Sequence, residues 1–405
     1  MTSQRYRWEV VLILWCAYAL HQADKQIYSV VLRPLQADLG LSGYQAGLIA
    51  TLFTLTVAVM SPLAGALGDR YPKHRVLTLA VAVWSAGTLM TGVTQGLILT
   101  IFARSFLTGG AESFYPPVSH ALLAGHHTGT RALAIAIHQT AQYAGPIASG
   151  FIAGWIAEHY GWRQGFLVFG IAGLLLSAVM ALRLRDAVAS RPARTALLSG
   201  FAHCFRQRAV RRIGLAFAAV LFVSLGYSTW VPAIFGRQFG LTLSQAGVYT
   251  ALAGNIAAML GALAGGALSD RFAAAGRSRF DLQAMSLLAA TPFMVLLGTA
   301  QTLAVALAAL AGLGFFRGVY EGTIAVTLYD FVAPEYRSSA AAMVLLIANL
   351  LAAPSAAMLG WISDHAPLPA AISSLAVLFP LAAGILFSAR KLDLLEGGRN
   401  EPGSG

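Results

Sequence analysis

Six ionisable side chains stand inside long apolar stretches: Asp24, Lys25, Arg104, Glu112, Arg317 and Glu321. An ionised group at the centre of a bilayer costs about 3 kcal/mol or more unless it faces a partner or a wet cavity. Three of the six are acids and three are bases, so they can neutralise one another. His21, Asp24 and Tyr28 follow three- and four-residue steps and share a helix face, and Lys25 lies four residues from His21. Arg104, Thr108, Glu112, Tyr115 and Ser119 form a second stripe, and Arg317 and Glu321 are four apart. Two kinds of chemistry follow. A carboxyl in a partly dry site can exchange protons near neutral pH, and a cation beside it can hold an organic anion. Glu112, Asp24 and Glu321 are the candidates for proton exchange, and Lys25, Arg317 and Arg104 for contact with an anion. His21, Tyr28, Tyr115, Gln139, Gln142, Tyr227, Trp230 and Asn349 are the candidate polar and aromatic contacts. Phosphate-binding loops, His-Glu-x-x-His and paired-cysteine motifs are absent from the sequence, so no enzyme, metal or cofactor is expected; protons are the expected coupling ion.

The elements that position these groups are membrane helices. Of 405 residues, 57% are hydrophobic and 11% charged, against about 25% charged in a soluble domain. Apolar blocks such as Phe166–Leu182 and Ile213–Phe235 approach the roughly 20 residues that cross hydrocarbon as a helix. They lack the alternation of a β-barrel. The pattern predicts twelve spans: 9–31, 44–66, 76–94, 97–122, 132–156, 165–182, 212–235, 245–268, 282–299, 302–328, 338–361 and 370–389. With both termini cytoplasmic, the inner segments carry 21 of the 27 Lys and Arg and the outer loops three, Arg33, Arg163 and Arg237. Basic residues confined to inter-span loops argue for membrane topology over nucleic-acid binding. The arginine bias, 24 to 3 over lysine, points to a GC-rich bacterial genome and hence to an inner membrane.

The expected domains are a six-helix half over 1–182, a basic cytoplasmic linker over 183–212, and a second half with a short tail over 213–405. The linker holds eight arginines and one acid, Asp186, and suits the inner surface of the membrane. The halves repeat. Gly40-Leu41 and Gln45-Ala46-Gly47 recur as Gly240-Leu241 and Gln245-Ala246-Gly247. Gly65-Ala66-Leu67-Gly68-Asp69-Arg70 recurs as Gly266-Ala267-Leu268-Ser269-Asp270-Arg271. Gly154-Trp155-Ile156 with Glu158-His159 recurs as Gly360-Trp361-Ile362 with Asp364-His365. Repeated halves are the architecture of rocking transporters.

With these motifs the chain resembles the major facilitator superfamily along its length. The family loop Gly-x-Leu-x-Asp-Arg is met by Gly65–Arg70; Gly161-Trp162-Arg163 and Pro334-x-x-Arg337 are similar too. The resemblance implies an all-α membrane protein of twelve transmembrane helices in two pseudo-symmetric six-helix halves. It also implies that the first, fourth, seventh and tenth helices line a central cavity. Asp69, Arg70, Asp270 and Arg271 would then latch one conformational state. His21-Gln22-Ala23-Asp24-Lys25 and Gly109-Gly110-Ala111-Glu112-Ser113-Phe114-Tyr115-Pro116-Pro117 look most like the anion:cation symporter branch. In that branch an arginine stands seven residues before the Glu, where this chain has Ser105; Arg104 is one position earlier. The Spinster-like branch, associated with lysolipid and sphingolipid export, shares the Asp and the Glu. Gly145-Pro146 with Gly150 and Gly154 resembles part of a drug-antiporter pattern, or packs helices closely. The expected function is proton-coupled transport of a small organic anion by a monomer. An amphiphilic lipid or a drug is the alternative cargo, and a channel or a non-transporting sensor is the remote one.

Overall fold

The computed structural model describes residues 4–127, 130–186, 204–332 and 336–397, and among them there are helices and short connections but no strand. Most of the basic linker, residues 187–203, lies outside the described residues, as do Pro334 and the side chains of Asp69 and Arg337. Nine helices among the described residues are long and apolar enough to cross a membrane, beginning with Gly43–Gly65 and ending with Leu368–Arg390. The expected spans that fall short are 9–31, 97–122 and 132–156. The first and last of these carry His21, Asp24, Lys25, His138 and Gln142, whose polar side chains lower the mean hydropathy, and the middle one, with Arg104 and Glu112, is broken into short helical segments. They are nevertheless helical, over Gln4–Val30, over the broken run from Leu97 to His126, and over Arg131–Tyr160.

The chain forms two compact units, and these cut across the two sequence halves. The first unit takes Met1–Ala193 together with Ser228–Ala251 and Ala356–His365. Within it, the first helix (Gln4–Val30) packs on the fifth (Arg131–Tyr160), and the third (Lys73–Gly92) on the sixth (Trp162–Arg183). Small residues on the fifth helix allow that approach: a Cβ on Gly145 would overlap the Ala19 carbonyl, and Ser149 Oγ donates to Ala23 O at 2.8 Å. Leu14, Trp84, Tyr115 and Phe166 are fully buried in this unit. Gly40 and Gly240, the recurring turn glycines, have φ of 62° and 64°, a left-handed conformation that favours glycine.

The second unit takes Arg194–Tyr227, Leu252–Ser355 and Ala366–Gly405. The ninth helix (Arg279–Thr299) packs on the tenth (Leu303–Asp330) and on Leu378–Gly397. The eighth (Leu243–Ala274) meets the tenth through glycine: a Cβ on Gly318 would overlap the Ala258 carbonyl. Small residues that bring backbones together are what drives helix packing in lipid. Large apolar side chains remain outward, including Ile98, Leu182, Leu263 and Val377.

Candidate functional site

The site in the first unit is built where the first, third and fifth helices meet the fourth, the broken run from Leu97 to His126. Arg104 is 3% exposed and Asp24 1%. Arg104 Nη1 stands 2.6 Å from Asp24 Oδ2, and Nη2 donates to the Asp24 carbonyl at 2.7 Å. Thr88 Oγ1 donates to the other carboxylate oxygen at 2.9 Å. Phe53 lies under the guanidinium, 4.9 Å from its centre. Arg104 is therefore placed as the partner of Asp24, not as the open cation that the sequence suggested. The buried carboxylate needs that positive charge and those donors.

Local winding of the fourth helix makes this pairing. Ile101–Thr108 is a π-helix, and Thr108 Oγ1 donates to the carbonyl of Ala103, five residues back, at 2.9 Å. A π turn holds more residues than an α turn. Arg104 reaches Asp24, while Ser105 turns to the second helix (Gly43–Arg70) and donates to Ile49 O at 2.7 Å.

Glu112 sits beside this pair with a different environment. It is 1% exposed, and neither carboxylate oxygen has a hydrogen-bond partner. His21 Nε2 is 3.4 Å from Glu112 Oε2 and Lys25 Nζ is 3.8 Å from it. The other imidazole nitrogen, His21 Nδ1, lies 3.3 Å from Gln22 Oε1, an acceptor. A neutral His21 that donates there turns the lone pair of Nε2 towards Glu112. The Lys25 side chain is 38% exposed, unlike its neighbours. Below Glu112 the rings of Tyr18, His21, Trp84, Tyr115 and His138 stack or meet edge to face, with Tyr18 and His138 4.7 Å apart.

The second unit holds a smaller polar group. Arg317 Nη1 donates to Tyr227 Oη at 2.7 Å, and Arg317 Nε is 3.5 Å from Glu321 Oε1. Glu321 is 38% exposed and Arg317 15%.

The remaining candidates take bonds to protein. Tyr28 Oη donates to Ala46 O, Tyr115 Oη to Leu14 O and Trp230 Nε1 to Ala356 O, and all three rings are buried. Gln142 accepts from Tyr18 at 3.3 Å, Gln139 Oε1 is 3.4 Å from His120 Nε2, and Asn349 donates to Leu345 O in its own helix. Gly145, Gly150 and Gly154 serve close packing against Ala19, Gly247 and Ser244. Of the expected latch, Asp69 lies outside the described side chains, while Arg70, Asp270 and Arg271 are exposed. Thr88, Phe53, Trp84 and Tyr18 had not been singled out in the sequence. Threonine and aromatic residues in an apolar run carry little signal there, since they pack as readily as they contact a polar group.

Comparison with known proteins bears on this arrangement. A family profile described as Major Facilitator Superfamily matches residues 14–353. A probable galactarate/D-glucarate transporter of Bacillus subtilis is 28% identical over 179 residues, 43% of this chain and 39% of that protein. A hexuronate transporter of the same organism is 25% identical over 270 residues, 64% of each chain. The chain thus spans between 39% and 64% of the length of these relatives. Among solved structures, a bacterial homolog of the human lysosomal transporter Spinster, inward-facing and unoccupied, superposes with a TM-score of 0.84. It is 21% identical, and the match covers 96% of this chain and 98% of that one. A profile match across most of the sequence places the chain in the major facilitator superfamily, a family of transporters and not of enzymes.

Proposed function

We propose that the protein is a secondary transporter of a small organic anion, a sugar acid, carboxylate or sugar phosphate, taken up with protons. The observation that carries this reading is the buried Glu112–His21 contact beside the half-exposed Lys25. Lys25 offers the anion a cation that is not enclosed. Glu112 and His21 hold a proton next to it. Arrival of an anion at Lys25 competes with Glu112 for the ammonium, and protonation of Glu112 relieves the loss. Binding of anion and proton is then linked through one lysine. Asp24 is held by Arg104 and Thr88 and serves to position the first helix. Arg317 and Glu321 supply a second cation and a second candidate carboxyl. Relatives named for galactarate, D-glucarate and hexuronate transport support the substrate class.

The rest of the reading is a monomer with twelve spans in a bacterial inner membrane, with cytoplasmic termini and a basic linker. Asp69, Arg70, Asp270 and Arg271 act there as a cytoplasmic latch. The second reading is export of a lysolipid or another amphiphile.

The test is flux in proteoliposomes with radiolabelled glucarate, glucuronate or a lysolipid under an imposed pH gradient. Glu112→Gln should keep exchange of the anion across the membrane and lose accumulation driven by the gradient. A Glu112→Gln protein that still accumulates the anion removes Glu112 as the coupling group. Flux of lysolipid alone selects the second reading.

A further inference from the structure

The first four backbone N–H groups of a helix have no partner inside it. In the second helix (Gly43–Arg70), Ser42 N–H donates to Gln45 Oε1 at 3.0 Å and Gln45 N–H to Ser42 Oγ at 3.1 Å, a capping box. The two N–H groups between them go to another helix. Gly43 N–H donates to Asp364 Oδ1 at 2.7 Å and Tyr44 N–H to Asp364 Oδ2 at 2.9 Å. The eighth helix repeats the arrangement. Thr242 N–H donates to Gln245 Oε1 at 3.2 Å, Gln245 N–H to Thr242 Oγ1 at 3.3 Å, and Ser244 N–H to Glu158 Oε1 at 2.6 Å.

Glu158 and Asp364 hold equivalent places in the sequence repeat, each four residues after its glycine, at the ends of Arg131–Tyr160 and Ser355–His365. The partners they cap are equivalent too, but crossed: the fifth helix caps the eighth, and the eleventh, which ends in Ser355–His365, caps the second. Glycines bring the same helices together beneath the caps. A Cβ on Gly47 would overlap the Ala356 carbonyl, one on Gly43 the Gly360 carbonyl, one on Gly154 the Ser244 backbone, and one on Gly150 would stand 2.6 Å from the Gly247 carbonyl carbon. All of these residues belong to the first compact unit.

We propose that Asp364 and Glu158 are reciprocal latches on the outer side of the membrane, opposite the Asp69 and Asp270 loops, which hold that side shut. A carboxylate at a helix N-terminus gains both charge-assisted hydrogen bonds and the helix dipole. Parting the second helix from the eleventh, or the fifth from the eighth, strips N–H groups that the capping boxes cannot take up, because each box has already used its own acceptors. The latches are unequal: Asp364 engages two N–H groups with both oxygens and Glu158 engages one. This goes beyond the transport reading and requires neither a known substrate nor proton coupling.

The test is accessibility from the outer side. Thr51 lies beneath the Asp364 cap, is 6% exposed, and accepts from Ala357 N–H at 3.3 Å. A Thr51→Cys protein, with Cys16→Ser and Cys204→Ser, is treated in right-side-out vesicles with a membrane-impermeant maleimide. Asp364→Ala should raise the labelling rate about three- to ten-fold. Glu158→Ala should raise it less, and the double variant by about the product of the two. Asp364→Asn and Glu158→Gln keep an acceptor but lose the charge, and should give smaller increases in proteins that fold even if the alanine variants do not. A folded double variant, alanine or amide, that labels at the parental rate overturns the proposal. So does a parent already labelled as fast as an exposed cysteine.

Discussion

Replacing Arg104 by glutamine tests the electrostatic core of the first unit. The guanidinium makes two bonds to Asp24, at 2.6 Å to the carboxylate and 2.7 Å to the carbonyl, in a place where both side chains are almost fully enclosed. Removing one member of a buried pair leaves the other charged and under-solvated, at a cost of about 3–5 kcal/mol. Thr88 continues to donate to Asp24 but brings no charge. Loss of the cation–π contact with Phe53 adds about 0.5–2 kcal/mol. Arg104→Gln should therefore reduce the unfolding free energy by about 3–5 kcal/mol or more, measured by titrating purified protein in mixed micelles with dodecyl sulfate. Asp24→Asn with Arg104→Gln removes both charges and should recover about 2–3 kcal/mol of that loss. Arg104→Lys keeps the charge but not the second bond and should fall between. Additive single and double variants, or an Arg104→Gln protein within about 1 kcal/mol of the parent, would refute the pairing as the source of stability.

Other expectations are narrower. Lys25→Gln should weaken anion binding at least ten-fold in equilibrium dialysis while leaving the unfolding midpoint close to the parent, because its side chain is 38% exposed. Asp69→Asn should slow substrate exchange in liposomes while leaving the binding constant nearly unchanged; an unaltered exchange rate would argue against the latch. At the end of the short helix Leu32–Leu39, hydrogen bonding from Arg163 holds the Asp38 carboxyl below its usual range, and Trp162 Nε1 adds a contact at 3.3 Å. The stabilisation is present above the ordinary aspartate range and is lost as pH falls through the lowered value. Arg163→Gln should thus move the acid limb of a thermal-midpoint titration to higher pH.

Charged residues in apolar runs announced themselves, and so did the helical class, because both violate or follow the energetics of hydrocarbon directly. The pairing did not. Asp24 has Lys25 as its neighbour in sequence, yet its partner is Arg104, brought round by a π turn that no spacing rule marks. Glu112 was legible as a titratable group, but its contact with His21 depends on how the first and fourth helices lie together. The repeats were visible as letters. Their meaning as crossed caps was not, since Glu158 and Asp364 lie 86 and 320 residues from the N–H groups of Ser244 and Tyr44. Polar side chains in the first and fifth helices, and the broken winding of the fourth, account for the three expected spans that are not among the nine found in the described residues.

The π turn at Ile101–Thr108 also bears on how relatives should be aligned. An ungapped comparison along the fourth helix sets Ser105 against the arginine of the anion:cation symporters and scores a loss of the cation. In this chain a cation one position earlier, Arg104, faces the first helix and pairs with Asp24. A wide turn houses more residues than an α turn without ending the helix. An arginine eight residues before the glutamate thus reaches the first helix when the turn between them is wide.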